Sequence, residues 1–195
     1  MASGRGMFKT KGDYLAHQSL KQLLPGVSRL LGEPEMEGVS YLFQSSNPLV
    51  DDIRLYNEVD KKFLGRIYAL VCEARIQHPR DQGAEGMLLL SYRGSLRKGQ
   101  PWFKTARRGG PEKLASLLNE DQKLLELLAK QDLEYLKIHW DGQMKRWRAL
   151  ARPLGGSYIW VALPPMRYRV KLPTGHDKYM VEAMDRIARD IAQMD

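Results

Sequence analysis

Asp141-Gly142 stands between two stretches that both read as strands, 133–140 and 143–152, and no other feature restricts the fold as much. Asp-Gly favours the type I′ turn, whose twist suits a two-residue hairpin. Such a loop places Trp140 opposite Gln143, Ile138 opposite Lys145, Leu136 opposite Trp147 and Glu134 opposite Ala149, with Ala151 continuing that face. Side chains alternate along a strand, so this mostly apolar set should meet helices. Tyr135, Lys137 and His139 fall on the other face, across from Arg148, Arg146 and Met144. Lys137 then stands opposite Arg146, and two like charges in that position need water, a carboxylate from elsewhere in the fold or an external anion.

The next segments extend the pattern. Pro153-Leu154-Gly155-Gly156 makes a turn, 157–163 a third strand and Pro164-Pro165 a corner. Residues 166–172 alternate cleanly, with Met166, Tyr168, Val170 and Leu172 on one side and Arg167, Arg169 and Lys171 on the other. If Arg167, Arg169 and Lys171 share the face of Lys137, Arg146 and Arg148, the sheet offers a basic platform. Tyr135 and His139 are then placed to stack on bases, the combination used for single-stranded nucleic acid. The competing reading is a solvated face, or one neutralised by acids from the helices or from Val50-Asp51-Asp52.

Upstream, 13–24 has the spacing of a short amphipathic helix ended by Pro25-Gly26. A short strand is expected at 38–43, a turn at Asn47-Pro48 and another strand at 86–92. The apolar run 63–76 suits helix or strand by period; its β-branched and aromatic content favours strand, with Gly65 as a bulge or point of close approach. A basic loop, Arg97-Lys98-Gly99, leads to Trp102-Phe103, and Gly109-Gly110 closes this half. Pro111 fits the first position of a helix carrying Leu114, Leu117 and Leu118, and Asn119 with Gln122 forms a capping box for a second helix over 120–130. Thr174 is the expected N-cap of the last helix, with Asp177 in its first turn and an apolar stripe from Met180 to Ile191. Glu182/Arg186 and Asp185/Arg189 should pair on its wet side.

These elements describe one α+β domain over 1–195, with 1–12 as a flexible tail. Its antiparallel sheet has roughly four to seven strands, with helices packed mainly on one face and a C-terminal helix. The formal net charge of +8 attracts polyanions and makes nucleic acid a candidate partner. No apolar stretch approaches the ~20 residues of a spanning helix, and the first fourteen residues lack the apolar core of a secretory signal. Cys72 is the single cysteine, which excludes an internal disulfide and fits a reducing, cytoplasmic setting.

Catalytic signatures are missing. The sequence has no GxxxxGK[ST], HExxH or CxxC motif, and Gly155-Gly156-Ser157 lacks the closing glycine of a nucleophile elbow. His17, His78, His139 and His176 are too scattered for a metal pattern, and neighbouring Asp51 and Asp52 point apart on an extended segment. No catalytic residue, metal or cofactor is expected. The leading expectation is a binding or interaction protein without catalysis. A polyanion-binding module using the basic sheet face is the first alternative. The second is a small-ligand binder or enzyme with a pocket between sheet and helices, lined by Trp140, Trp147 and Tyr168.

The stretch 111–172 carries Leu118-Asn119, the run 132–138, Pro153-Leu154-Gly155-Gly156-Ser157 and Pro164-Pro165-Met166-Arg167-Tyr168. In these motifs the chain resembles a small proteobacterial family known as a domain of unknown function. The resemblance implies a bacterial cytoplasmic protein and transfers no catalytic residue.

Overall fold

The computed structural model describes residues 8–79, 83–93, 99–107 and 110–194. In chain order the elements are α1 (Lys11–Lys21), α2 (Leu24–Leu31), β1 (Glu35–Glu37), β2 (Ser40–Gln44), β3 (Val50–Lys62), β4 (Gly65–Ile76), β5 (Met87–Arg93) and β6 (Gln100–Thr105). Then come α3 (Glu112–Glu120), α4 (Gln122–Ala129), β7 (Leu133–Asp141), β8 (Arg146–Pro153), β9 (Tyr158–Val161), β10 (Met166–Arg169) and α5 (His176–Ala192).

Asp141 forms a longer turn than the type I′ reading requires. Its Oδ1 accepts from the backbone N–H groups of Gln143 and Met144, both at 3.1 Å, and Lys145 takes a left-handed φ of 51°. An aspartate that bonds its own downstream backbone favours such a turn over a tight reversal. Trp140 therefore pairs with Trp147 and Asp141 with Arg146. Relative to the expected partner Gln143, Trp147 lies four positions further along, an even shift, so the side chains from Tyr135 to Trp140 and from Arg146 to Arg152 keep their faces. Leu136, Ile138, Trp147, Ala149 and Ala151 are buried as expected. The opposite numbers change: Lys137 faces Leu150, not Arg146. A bulge between Leu133 and Tyr135 also re-aims Glu134 from its expected place opposite Ala149.

Among the described residues the sheet has ten antiparallel strands in the order β1-β2-β3-β4-β8-β7-β5-β6, with β9 joined to the free half of β4 and β10 to β9. This exceeds the expected range, because β1, β3 and β6 carry no clear apolar alternation. In β3 a bulge after Val50 breaks the period, and its outward positions are charged. In β6, Pro101 sits in a two-partner-poor edge strand, where its missing N–H is tolerated. The 63–76 run is a strand, and Gly65 is a point of close approach: a Cβ there would lie 2.3 Å from the Trp160 carbonyl oxygen.

Helices α2 to α5 cover one face, closing on Leu55, Cys72, Ala149 and Ile138 through Leu114, Leu124, Met184 and Ile187. Helix α1 packs at the β4–β9 end of the same face, where Ala16 meets Tyr68 and Tyr158. Pro25 opens α2 where it was expected to end α1, since a helix needs no N–H at its first turn. Helix α1 begins at Lys11 under a Thr10/Asp13 capping box. Gly175, at φ 83°, precedes α5 in place of a Thr174 cap. On α5, Arg186 reaches across to Asp121 and Glu182 pairs with Lys178, so the expected pairs within the helix do not form. Arg97, Lys98 and Gly109 lie outside the described residues.

Asp121, not Asn119, caps α4, accepting from Leu124 N–H at 3.0 Å. Asn119 has another use. Its Oδ1 accepts from the Phe103 N–H at 2.7 Å and its Nδ2 donates to the Phe103 carbonyl at 2.9 Å, so one side chain stands in for a neighbouring strand on the edge of β6. Asn119→Ala should therefore lower the unfolding free energy by about 2 kcal/mol, because both buried backbone groups lose their partner. Urea denaturation checks this; a loss below about 0.5 kcal/mol, the ordinary range for a surface change, would contradict it.

Candidate anion-binding site

The helix-free face of the sheet carries the arginines expected there, and each is already matched. Arg146 Nε contacts Asp51 at 2.5 Å, and Arg148 Nε contacts Glu73 at 2.7 Å and reaches Asp141. Arg152 meets Glu58, Asp60 and Glu134, while Arg75 pairs with Asp52 and Arg54 with Glu37. Five arginines thus meet eight carboxylates, so this face is no basic platform. The acids come mainly from β3 and β4, the neutralisation that Val50-Asp51-Asp52 foreshadowed.

Aromatic groups on this face are committed too. Tyr135 donates its hydroxyl to Glu58 at 2.7 Å, although β8 and β4 separate their strands, so the sheet curls toward this side. Lys137 Nζ lies 3.9 Å from the centre of the Tyr135 ring and occupies the surface a base would stack on. Burial, then Glu73, pushes the Tyr56 phenol up to about 12. Burial likewise lowers the His139 imidazole, helped by Arg148, which disfavours its charged form; its Nδ1 has no hydrogen-bond partner among the described residues.

Arg167 and Arg169 lie on the other side. Arg167 pairs in register with Trp160 and Arg169 with Tyr158, and Tyr158 is buried beneath α1. Lys171 is exposed beyond the end of β10. The expected pocket residues also diverge. Trp147 is fully buried, Trp140 packs edge-on against it, and Tyr168 is exposed on the helix-free face.

At one corner several cations come together across the strands. Across four adjacent strands, Lys61 stands opposite Arg66, Arg66 opposite Trp160, and Trp160 opposite Arg167. All four side chains share one side of the sheet. Lys11 approaches from the start of α1, and Thr10, Lys11, Gly12, Arg66, Tyr68, Trp160 and Arg167 line a cavity of about 190 Å³. Arg167, Lys61 and Lys11 make no ion pair with any described residue. Asp13 lies behind this lining, bonded to the Thr10 N–H and the Tyr68 hydroxyl. Burial pushes its carboxyl up, but hydrogen bonds from Tyr68 and Thr10 outweigh burial and hold it below the usual carboxylate range. It contacts Arg66 only at 3.5 Å. Gly12 is needed here, since a Cβ would lie 2.6 Å from the Tyr68 hydroxyl oxygen.

Lys61 opposite Arg66 is the repulsive pairing that the two-residue turn would have put at Lys137 and Arg146. Three cations around one indole, with a single carboxylate already held by three donors, favour an anion of phosphate or carboxylate type, which two guanidinium groups can grip through parallel N–H bonds. Arg167 alone of this group was singled out in the sequence. Lys11, Lys61, Arg66 and Trp160 were not, because only the β4–β9 pairing brings them together.

A second cleft, of about 370 Å³, opens where β5 peels away from β7 and is lined by Tyr92, Asp132, Glu134 and Tyr135 among others. Its charge is acidic. Among the described residues no group of three His, Cys, Asp or Glu is placed to hold a metal ion.

A family model described as "Protein of unknown function (DUF3156)" matches residues 31–191. No curated protein and no solved structure matches the chain.

Proposed function

The chain belongs to the DUF3156 family of proteins of unknown function, and on that footing we propose that it is a binding protein whose basic corner takes an anionic, phosphate-type group. The carrying observation is the Lys61–Arg66–Trp160–Arg167 row, where Lys61 faces Arg66, Arg66 has only Asp13 at 3.5 Å, and Lys61 and Arg167 meet no carboxylate among the described residues. An anion between Arg66 and Arg167 relieves that repulsion, and Trp160 offers its face to the ligand body or to a guanidinium.

Inorganic pyrophosphate is the simplest probe. Titrated at low ionic strength, it should change the intrinsic tryptophan fluorescence of the wild type, and the change should vanish in Trp160→Phe. Arg167→Ser removes an exposed side chain with no ion pair among the described residues, so the fold should be untouched while affinity falls about tenfold, the loss of one charge-assisted contact. An unchanged affinity in Arg167→Ser, or no binding by the wild type, would overturn the proposal.

A further inference from the structure

Two hairpin tips beside the basic corner hold large apolar side chains in water. Phe63, at the β3–β4 apex, is 99% exposed, and Leu163, at the β9–β10 apex, is 68% exposed. Leu64, Met166 and Tyr168 are exposed as well. The tips are tied together, since the Ala162 N–H donates to the Leu64 carbonyl at 2.7 Å. Lys62, Gly65, Val161 and Met166 form one continuous row behind them. Met166 and Tyr168 extend the patch down the helix-free face, because they alternate with Arg167 and Arg169.

A phenylalanine left wholly in water at an apex contributes nothing to folding, and contiguous exposed apolar groups mark an interaction surface. Cations rim this one: Lys61 and Lys62 precede Phe63, Arg66 follows it, and Arg167 follows Met166. The acids nearby are engaged, Asp60 by Arg152 and Asp13 by Arg66 and Tyr68.

We infer that the twin tips and the basic corner together dock onto an anionic lipid surface, with Phe63, Leu64 and Leu163 entering the acyl boundary while the corner holds a lipid phosphate. This deepens the anion-site reading and rests on it. The order of groups is what an interface between oil and phosphate selects: apolar at the apex, cationic one step behind. A second copy is the poorer occupant, since a two-fold interface here would set Lys61, Lys62, Arg66 and Arg167 against their own duplicates. Docking is peripheral, because among the described residues no helix is long and apolar enough to cross a membrane.

Flotation with vesicles tests this directly. The full chain should float with phosphatidylcholine–phosphatidylserine vesicles and stay behind with phosphatidylcholine alone. Phe63→Ser with Leu163→Ser, which adds no charge, should cut flotation at least tenfold while leaving pyrophosphate titration and the far-ultraviolet spectrum unchanged, as both side chains are exposed. No flotation on anionic vesicles, or flotation indifferent to the double change, would overturn the inference. So would size-exclusion data showing that the double change turns a dimer into a monomer, since the patch would then join copies. If pyrophosphate binds but vesicles do not, only the lipid assignment falls; if neither binds, the anion site falls with it.

Discussion

Arg152→Ala should lower the unfolding free energy by about 3 kcal/mol, the lower end of what breaking a buried ion pair costs. The Arg152 side chain is 7% exposed and reaches Asp60 at 2.6 Å, Glu134 at 2.9 Å and Glu58 at 3.3 Å. Without it, three carboxylates from β3 and β7 converge on a hole, and Tyr135 hangs on one of them. Those carboxylates are a third to a half exposed, so solvent screens part of their repulsion and holds the loss at the lower end. Arg152→Met keeps the packed stem and should recover little, because the charge is what organises the cluster. A pH series adds an independent check. The hydrogen bond from Arg152 holds the Asp60 carboxyl below its ordinary value. A depressed carboxylate stabilises the fold above its unfolded pKa and loses that contribution as pH falls through the folded one. In Arg152→Ala this acid-side loss should shrink. Urea midpoints for wild type and variant measure both effects, and a cost under about 1 kcal/mol would show the cluster to be mere surface decoration.

Asp190→Asn should do the reverse and stabilise the protein at alkaline pH. Asp190 is on the buried side of α5 and 8% exposed, and its Oδ2 has no hydrogen-bond partner among the described residues. Burial, then the neighbouring Asp121 carboxylate, pushes its carboxyl up to about 7, against some relief from Arg186, which is already bonded to Asp121 at 2.5 Å. A carboxyl raised in the folded state binds its proton more tightly there than in the unfolded chain. Stability therefore falls as pH rises from the unfolded value of 3.8 to about 7. At about 1.4 kcal/mol per pKa unit, the loss across that window reaches at most about 4 kcal/mol. Asparagine carries no such titration. The variant should match the wild type near pH 4 and exceed it in Tm by several degrees at pH 8. A gap that stays constant between those pH values would contradict the account.

The faces of the β7–β8 hairpin were legible from alternation alone, and they survived a wrong turn length because the slip was an even number of residues. Seven of the strands were legible, β10 from alternation as well, but β4 from its β-branched and aromatic content and β5 from its run of leucines. Strand β3 was not, since its outward side is the acidic half of an ion network and so reads as a polar connection. That omission had a functional cost. Without β3 the arginines of β8 look unmatched, and with it they are partnered. The basic corner was hidden for a different reason: Arg66 and Arg167 are brought to either side of Trp160 by pairings of β9 with β4 and β10 that no local spacing encodes. The capping errors at Asn119 and Thr174 are local. Each is a credible cap whose neighbour, Asp121 or Gly175, took the position instead.

Two groups of cations differ in kind: the five arginines of the helix-free face meet carboxylates, whereas Lys11, Lys61 and Arg167 at the corner meet none among the described residues. The most direct test of that difference is the salt dependence of pyrophosphate affinity in Arg167→Ser and Arg146→Ser, measured side by side with the wild type. The difference predicts a shallower slope and weaker binding in Arg167→Ser, with Arg146→Ser indistinguishable from wild type. Weakened binding in Arg146→Ser with Arg167→Ser unaffected would place the anion on the sheet face and contradict the account.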